Sequence, residues 1–598
     1  MLMNKLFSYI INLKNTKYQK KIILFGASFF ALHTLYFIYS LAVNVPVVDG
    51  WDLVPFAEMI VNGEPFWEFN TFWINAAHGL IFPNLVVVAS VLFSSWNFIY
   101  LMYFSWILIS ISVLVTYFIL KNTFPNAIWL IVPIAAILYS PVQYGILLWG
   151  TAGVSWFMDA TFMFLSIYFL NKINANRYFI LPAIACGIVA TFSTAPGIVI
   201  WLVGFYSIFF QTKWKKSSLI IWSICLIIIL GIFIFIFSLD STIKKSADLE
   251  KIFSMYGVTN FLFYLSHGIV LKIDMFRAIA GAFILISIIS PFLYYIYKKK
   301  MESKFIPWTQ LGLIGILISG ITLIGRPGTF PSRYSTMAAF DQIAALVIAT
   351  VIAYFIYSKL SNVKKKRILV MIYVIIFSIF IFSLSTAYYF GWREGDQWKS
   401  TNVEFLECLL NPIFEFKCVS PSNFNLHNTV YKYAPILQDL NLGPFYNERT
   451  MPIEIPLLNE KNWDIMKMTL ESEGSIENIR FNVSNELDHN LQKYEIIDKS
   501  DLLQIYGWVV FKNENHSVES VYIIIDDEVH SKAVYGFIRK DLQKYGLEER
   551  SFSGWQGIID PKEIPLGCHD VSIRIVSGNE YSELKLEKEF CKKSINSK

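Results

Sequence analysis

The sequence predicts a polytopic α-helical membrane protein, about 11 transmembrane helices, followed by an extracytoplasmic β-sandwich domain. Three observations carry that expectation. The chain is 55% hydrophobic and only 16% charged, where a soluble domain carries roughly 25% charged residues. Its apolar residues gather into long runs up to about residue 390 and then give way to mixed, polar sequence. Basic residues cluster in every second connection between those runs, the asymmetry expected of loops held on one side of a membrane.

The apolar runs are 22–43, 98–120, 127–140, 155–170, 178–193, 196–211, 218–238, 275–296, 308–325, 336–358 and 368–389. Several are short for a hydrocarbon core of roughly 30 Å, so their ends draw on flanking residues. The first run is long enough to span and no small-residue cleavage site follows it, so it reads as a retained span and not a signal peptide. Lys14, Lys17, Lys20 and Lys21 precede it. Lys121, then Lys172 and Arg177, then Lys213, Lys215 and Lys216, then Lys298, Lys299, Lys300 and Lys304, and finally Lys359, Lys364, Lys365, Lys366 and Arg367 mark alternate connections. The positive-inside rule places these in the cytoplasm. The N-terminus is then cytoplasmic and the C-terminal part extracytoplasmic. Segment 79–96 is apolar too, but a span there would turn every later basic connection outward. It is therefore read as an interfacial helix within the first external loop.

That loop, 44–97, contains Asp49, Asp52, Glu58, Glu64 and Glu68 and no Lys or Arg. Glu58, Glu64 and Glu68 read as solvated acid. Asp49 follows the first span by six residues, among Val45, Pro46, Val47, Val48 and Trp51. A carboxylate partly desolvated at a membrane edge has a raised pKa and suits a general base. Asp52 is either its partner or substitute, or the N-cap of a helix with Pro55 in its first turn. On the same predicted side, "GRPGTFPSRYSTMAAF" (325–340) is a shaped loop with Arg326 and Arg333 beside Ser332 and Tyr334. Arginine binds phosphate through forked, charge-assisted hydrogen bonds, though an interfacial Arg also snorkels to lipid headgroups. Lys272 and Arg277 flank Asp274, and mutual pairing is the expected role there. "YSPVQYGILLWG" (139–150) supplies Gln143, and "FWINAAHGLIFPNL" (72–85) supplies Asn75 and His78. Asp159 falls inside a span, where an ionisable group is a functional candidate by default, with helix packing the alternative.

The six cysteines include two pairs in the polar part, Cys408 with Cys418 and Cys568 with Cys591. They predict disulfides and an oxidising compartment. Residues 391–460 read as an irregular, partly helical neck stapled by Cys408–Cys418. From 461 the pattern changes to alternating strands with turn signals, such as "LLQIYGWVVF" and "HDVSIRIVSG", predicting a β-sandwich over 461–598.

Taken together, the first-loop acid, the segment "GLIFPNLVVVASVLFSSW", a second span ending in Lys and "YSPVQ" closing the third resemble the GT-C superfamily of membrane glycosyltransferases. The likeness is nearest to a bacterial branch with Asp-Asp-Trp in the first loop, then His-Arg, then Ser-Arg-Tyr-x-Thr. Matching positions are Asp49 and Trp51, then His78, then Ser332, Arg333, Tyr334 and Thr336. Gly50 stands where the branch has its second Asp, and Gly79 where it has the Arg. The resemblance covers roughly residues 20–450 and implies a GT-C-like membrane domain over 1–390. It further implies inverting transfer of a sugar from a polyprenyl-phosphate carrier to a cell-surface glycan or lipid-linked acceptor, in a bacterial inner membrane with the neck and sandwich periplasmic. In that frame Asp49 and Asp52 are catalytic, and Arg333, Tyr334, Arg326 and Ser332 bind the donor phosphate. His78, Asn75, Gln143 and Trp51 then bind substrate. Some relatives use a divalent metal (Mg or Mn), but no ligand cluster in this chain decides it; no nucleic-acid partner is expected. The strand region, with "IYGWVVF" and "FSGWQGIID", resembles a carbohydrate-binding-like sandwich, which nominates Trp508, Trp555, Tyr535, Arg539 and Asp541 for sugar contact, against ordinary core. A non-catalytic glycan-binding or assembly protein, and a lipid-linked glycan transporter, are the competing classes.

Overall fold

The computed structural model describes residues 17–75, 78–211, 215–238, 254–269, 274–298, 302–325, 328–410, 427–446, 467–468, 472–480, 493–497, 503–511, 518, 520–537, 554–559, 564–577, 580–585 and 589–593. It is mostly helical, with a β region at the C-terminal end. The helices used below are α1 (Lys17–Leu41), α2 (Val54–Val61), α3 (Ile81–Ser94), α4 (Phe98–Thr123), α5 (Ile131–Leu138), α6 (Gly150–Leu170), α7 (Ile180–Thr191), α8 (Val199–Gln211), α9 (Lys215–Ser238), α10 (Met255–Leu265), α11 (Asp274–Lys298), α12 (Ile306–Gly325), α13 (Tyr334–Lys359), α14 (Val363–Leu410) and α15 (His427–Asp439).

Among the described residues, nine helices are long and apolar enough to cross a membrane. Each of the nine matches one of the eleven predicted runs. The other two, 178–193 and 196–211, fold as the shorter helices α7 and α8. The cause is local: each opens on a 3-10 turn, Arg177–Phe179 and Ala195–Ile198, the second with Pro196 at its start. These turns use up residues the pattern assigned to the span. The α7 helix has 12 residues, about 18 Å at 1.5 Å per residue, well below the hydrocarbon thickness. The expected interfacial segment is the 14-residue α3, also too short to span.

The chain divides into two compact units, Met1–Pro46 with Met59–Ser400, and Val47–Glu58 with Thr401–Lys598. In the first unit, several hydroxyls inside the spans are satisfied at home. The hydroxyls of Ser105, Ser112 and Thr116 each donate to the carbonyl four residues back in α4. Thr161 of α6 donates across to Leu108 O at 2.9 Å. In hydrocarbon an unpaired polar group costs several kcal/mol, so these bonds let hydroxyls sit in a helix interface. The indole of Trp392 in α14 donates to His33 Nε2 of α1 at 2.9 Å, joining the two ends of the apolar sequence. Helix α14 runs unbroken to Leu410, so the predicted neck is regular helix over its first twenty residues.

In the second unit, the turn Val48–Leu53 packs with the end of α14. Trp51 is fully buried and meets Phe405 edge-on at 6.1 Å. The strand region forms an eight-stranded sheet in the order β3-β12-β11-β7-β8-β9-β6-β4 and a three-stranded sheet β10-β13-β5. Counting the two-residue strands β1 (Ile74–Asn75) and β2 (His78–Gly79) of the first loop, these strands are β3 (Lys467–Met468), β4 (Ser472–Arg480), β5 (Lys493–Ile497), β6 (Leu503–Phe511), β7 (Ser520–Ile525), β8 (Glu528–Phe537), β9 (Gly554–Ile559), β10 (Gly567–His569), β11 (Val571–Ser577), β12 (Glu580–Lys585) and β13 (Glu589–Lys593). Alternation dictates what faces inward. In β6, Ile505, Val509 and Phe511 are buried while Tyr506, Trp508 and Val510 are half-buried. Phe590 of β13 shares one core with Ile505, Ile523 and Ile573 of the large sheet, so the two sheets pack around common apolar residues. They are unequal, eight strands against three. Cys568 and Cys591 face each other across the β10–β13 pair and are disulfide-bonded. The predicted Cys408–Cys418 bridge lies outside the described residues.

Candidate functional site

The first-loop acid is carried by a 3-10 turn, Val48–Leu53, with sequence VDGWDL. Gly50 N–H donates to Val47 O at 2.9 Å, closing the turn. Val48 has φ of +45°, a left-handed conformation that β-branched residues rarely adopt. Such strain gathers where the fold holds a segment in one shape. Here it aims two carboxyls differently. Asp49 is exposed and Asp52 is half-buried. Burial first, and the neighbouring Asp49 charge second, push the Asp52 carboxyl up to about 6 from an ordinary 3.8. This corrects the expectation that Asp49 is the desolvated acid: the enclosed carboxyl is Asp52. The N-cap alternative fails as well, because Asp52 lies inside the turn and α2 begins at Val54. Pro55 does fall in the first turn of α2. Trp51, nominated for substrate, has a fully buried side chain against Phe405 and works as the anchor of the turn.

The candidates outside this turn and the strand region lie in the membrane unit. Here the two motifs read separately in the sequence are latched together. Ser332 Oγ accepts the Gly145 N–H at 3.1 Å, and Thr336 Oγ1 donates to Gln143 Oε1 at 2.5 Å. Gln143 Nε2 donates to Leu138 O at 3.0 Å. Gln143 and Ser332 therefore fasten "VQYG" to "SRYST". Gly145 is required at this approach, since a Cβ there would lie 2.2 Å from Ser332 Oγ. Gly268 has φ of +88°, and a Cβ on it would meet Ser335 Cβ at 2.6 Å.

The latch sets Arg333 at the entry to α13 beside a run of rings. His78 and Trp156 are 6.4 Å apart, Trp156 and Tyr334 6.0 Å, Tyr334 and Tyr264 6.0 Å, and Tyr264 and Phe330 4.8 Å. Arg333 lies 5.7 Å from the centre of the Tyr334 ring and is half-buried. Among the described residues no carboxylate pairs with it. Arg277 covers Phe263 and Phe330 at 4.4 and 4.5 Å and pairs with Asp274 at 3.8 Å, the pairing the sequence suggested. Burial pushes the Tyr264 phenol up to about 12. His78 sits on a two-residue strand, His78–Gly79, and its Nδ1 accepts the Ala195 N–H at 3.2 Å. The adjoining Thr194 hydroxyl donates to the buried Asp159, so Asp159 braces the segment that orients His78.

Trp156, Tyr264 and Phe330 are additions that the sequence reading missed. Their only signal was an aromatic near a helix end, which is common in any membrane protein. Arg326, Arg539, Asp541 and Lys272 lie outside the described residues, as does the Asn75 side chain. In the strand region Trp555 is 1% exposed and part of the core, and the Tyr535 hydroxyl donates inward to Val509 O at 3.1 Å. Both belong to packing, not to a sugar-facing surface; Trp508 is half-buried. Among the described residues, no group of three or more His, Cys, Asp or Glu gathers as a metal centre. Mg and Mn take near-octahedral oxygen sets, usually part water, which the Asp49–Asp52 pair alone does not build.

No protein-family model and no curated protein matches the chain. Among solved structures, it is similar to the archaeal oligosaccharyltransferase AglB from Archaeoglobus fulgidus, in complex with an inhibitory peptide and a dolichol-phosphate. The identity is 10% and the TM-score 0.39, over 74% of this chain and 62% of that one.

Proposed function

We propose that the protein is a GT-C-like glycosyltransferase that moves a sugar, with inversion, from a polyprenyl-phosphate carrier to a glycan or lipid-linked acceptor on the outer side of the membrane. The observation that carries this reading is the Asp49–Asp52 turn, whose enclosed carboxyl titrates near 6. A general base works best with a pKa near the working pH. Inverting transfer needs one base to take the acceptor hydroxyl's proton. The leaving phosphate already bears charge and needs cations in place of an acid. In this reading Asp52 is the base and Asp49 sets its pKa. Arg333, which no carboxylate neutralises among the described residues, holds phosphate oxygens through charge-assisted bonds. The aromatic run from His78 to Phe330 offers ring faces of the kind that cover sugar or prenyl chain.

The test is the cell-surface glycan of a deletion strain complemented with wild type, Asp52→Asn, Asp49→Asn or Arg333→Ala, each checked for normal membrane insertion. Asp52→Asn is expected to remove the glycan mass added by wild type, with transfer falling by about 10²–10⁴. Arg333→Ala is expected to weaken donor use by roughly 10–100-fold, the worth of a charge-assisted hydrogen bond. Unchanged glycan in inserted Asp52→Asn protein would falsify the catalytic assignment. It would favour the non-catalytic glycan-binding reading, which Gly50 supports by standing where the resembling branch has an acid.

A further inference from the structure

The membrane unit contains a cavity of about 620 Å³ with none of the candidate-site residues above in its lining, within the range of ligand pockets. It lies among the ends of helices bearing the basic connections: the turn after α4, the last third of α11, the turn before α12 and the last third of α13. Its walls are mainly apolar, with Trp129, Tyr294 and Phe355 among them. Pro291 sits inside α11 and lines the cavity, and a proline leaves the carbonyl four residues back without its helical donor. That carbonyl, Ser287 O, is taken by the Ser290 hydroxyl at 2.7 Å, so the freed acceptor is satisfied within α11 itself.

A second, smaller pocket of about 200 Å³ adjoins it, sharing Thr123 and Lys304. This one is more polar, lined by Asn122, Asn171 and Lys172 as well. The two together make an apolar chamber with a mouth of amides and two lysines against one carboxylate, Glu302, so its charge stays positive. Lys359 adds a further cation, 4.2 Å from the centre of the Phe355 ring in the chamber wall.

We infer that this pair of pockets binds a phosphate-headed lipid, its chain in the apolar chamber and its phosphate between Lys172 and Lys304. A zwitterionic lipid gains less, because its own choline cation competes for the phosphate. A free phosphate gains nothing from the chamber. This inference does not depend on the glycosyltransferase reading, since it uses neither the acidic turn nor Arg333.

The full-length protein in detergent, exchanged into dioleoyl-phosphatidylglycerol or dioleoyl-phosphatidylcholine, is examined by native mass spectrometry. We expect at least about tenfold greater retention of the glycerol lipid, reduced to the choline level in Lys172→Gln/Lys304→Gln, and resistant to excess inorganic phosphate. Equal retention of the two lipids, unchanged retention in the double variant, or stripping by inorganic phosphate overturns the proposal. A measurement needing no lysine variant runs beside it: phosphatidylglycerol with brominated chains should quench wild-type fluorescence more than that of Trp129→Phe. Equal quenching of both proteins rejects the chamber as the chain's site.

Discussion

Asp52→Asn should make the protein more stable at neutral pH while removing its activity. The folded carboxyl titrates near 6 and the unfolded one near 3.8. Between those values the folded state binds more protons than the unfolded state, so stability falls as pH rises from about 4 to about 6 and stays lower above. Fully enclosed, a carboxyl so displaced would cost about 3 kcal/mol at pH 7. The side chain is only half-buried, and solvent screening reduces the figure to about 1.5 kcal/mol. Asparagine has no charge to desolvate and none for Asp49 to repel. The assay is denaturant or thermal unfolding of both proteins in one detergent, followed at pH 7.5 and at pH 3.5. The variant should gain about 1.5 kcal/mol at the higher pH and nothing at the lower. Coincident curves at pH 7.5, or a gap that persists at pH 3.5, would refute the claim that Asp52 is held at a cost.

Further outcomes follow from the same geometry. Gly145→Ala places a methyl 2.2 Å from Ser332 Oγ and should cost about 1–3 kcal/mol in unfolding experiments. Adding Ser332→Ala should recover part of that, as a double-mutant cycle would show. In the strand region His569 Nδ1 donates to Asp526 at 2.6 Å, and Asp570 N–H donates to the same carboxylate at 2.9 Å. The His569 bond, then the Asp570 amide and the positive neighbours, hold Asp526 below its ordinary value. Its contribution is present above the unfolded value of 3.8 and lost as pH falls below it. Acidification below 3.8 should therefore reduce amide-exchange protection in the β7–β8 hairpin, and Asp526→Asn should abolish that loss. Peptide mapping without reductant should recover Cys568 linked to Cys591. Cutting that 23-residue loop by reduction should cost about 3 kcal/mol.

How far the sequence could be read varies with the range of the interaction. The nine long spans follow from runs of apolar residues, a local property that the bilayer thickness converts directly to helices. The 178–193 and 196–211 runs misled because hydropathy does not register a 3-10 opening such as Ala195–Ile198. The strands β6 and β11 were visible in their alternation and β7 in its apolar run, and Trp555 was left open between core and ligand because a Trp looks alike in both settings until its neighbours are placed. Gln143 and Ser332 show the same limit from the other side. Their partners are 193 and 187 residues away, and a polar side chain engaged in a distant latch is indistinguishable in sequence from one awaiting a ligand. For Asp49 and Asp52 the apolar neighbourhood applied equally to both. What separates them is the turn closed by Gly50 and anchored on Trp51, which buries one carboxyl and exposes the other.

The seating of Trp51 against Phe405 also sets a clock on biosynthesis. The two residues are separated by some 350 positions, and chains lengthen at about 5–20 residues per second. The acidic turn is therefore made early and waits roughly 20–70 s for the aromatic partner that completes its packing. Throughout that interval every span up to the last is being inserted, and Asp52 stands in a turn without its final packing. A ribosome that stalls or a chain that is cut before Phe405 leaves the bundle's sequence entire yet the turn unanchored. Anchoring of the acidic turn is thus postponed until the membrane part of the chain has been made, an order of events written into the spacing of two aromatic residues.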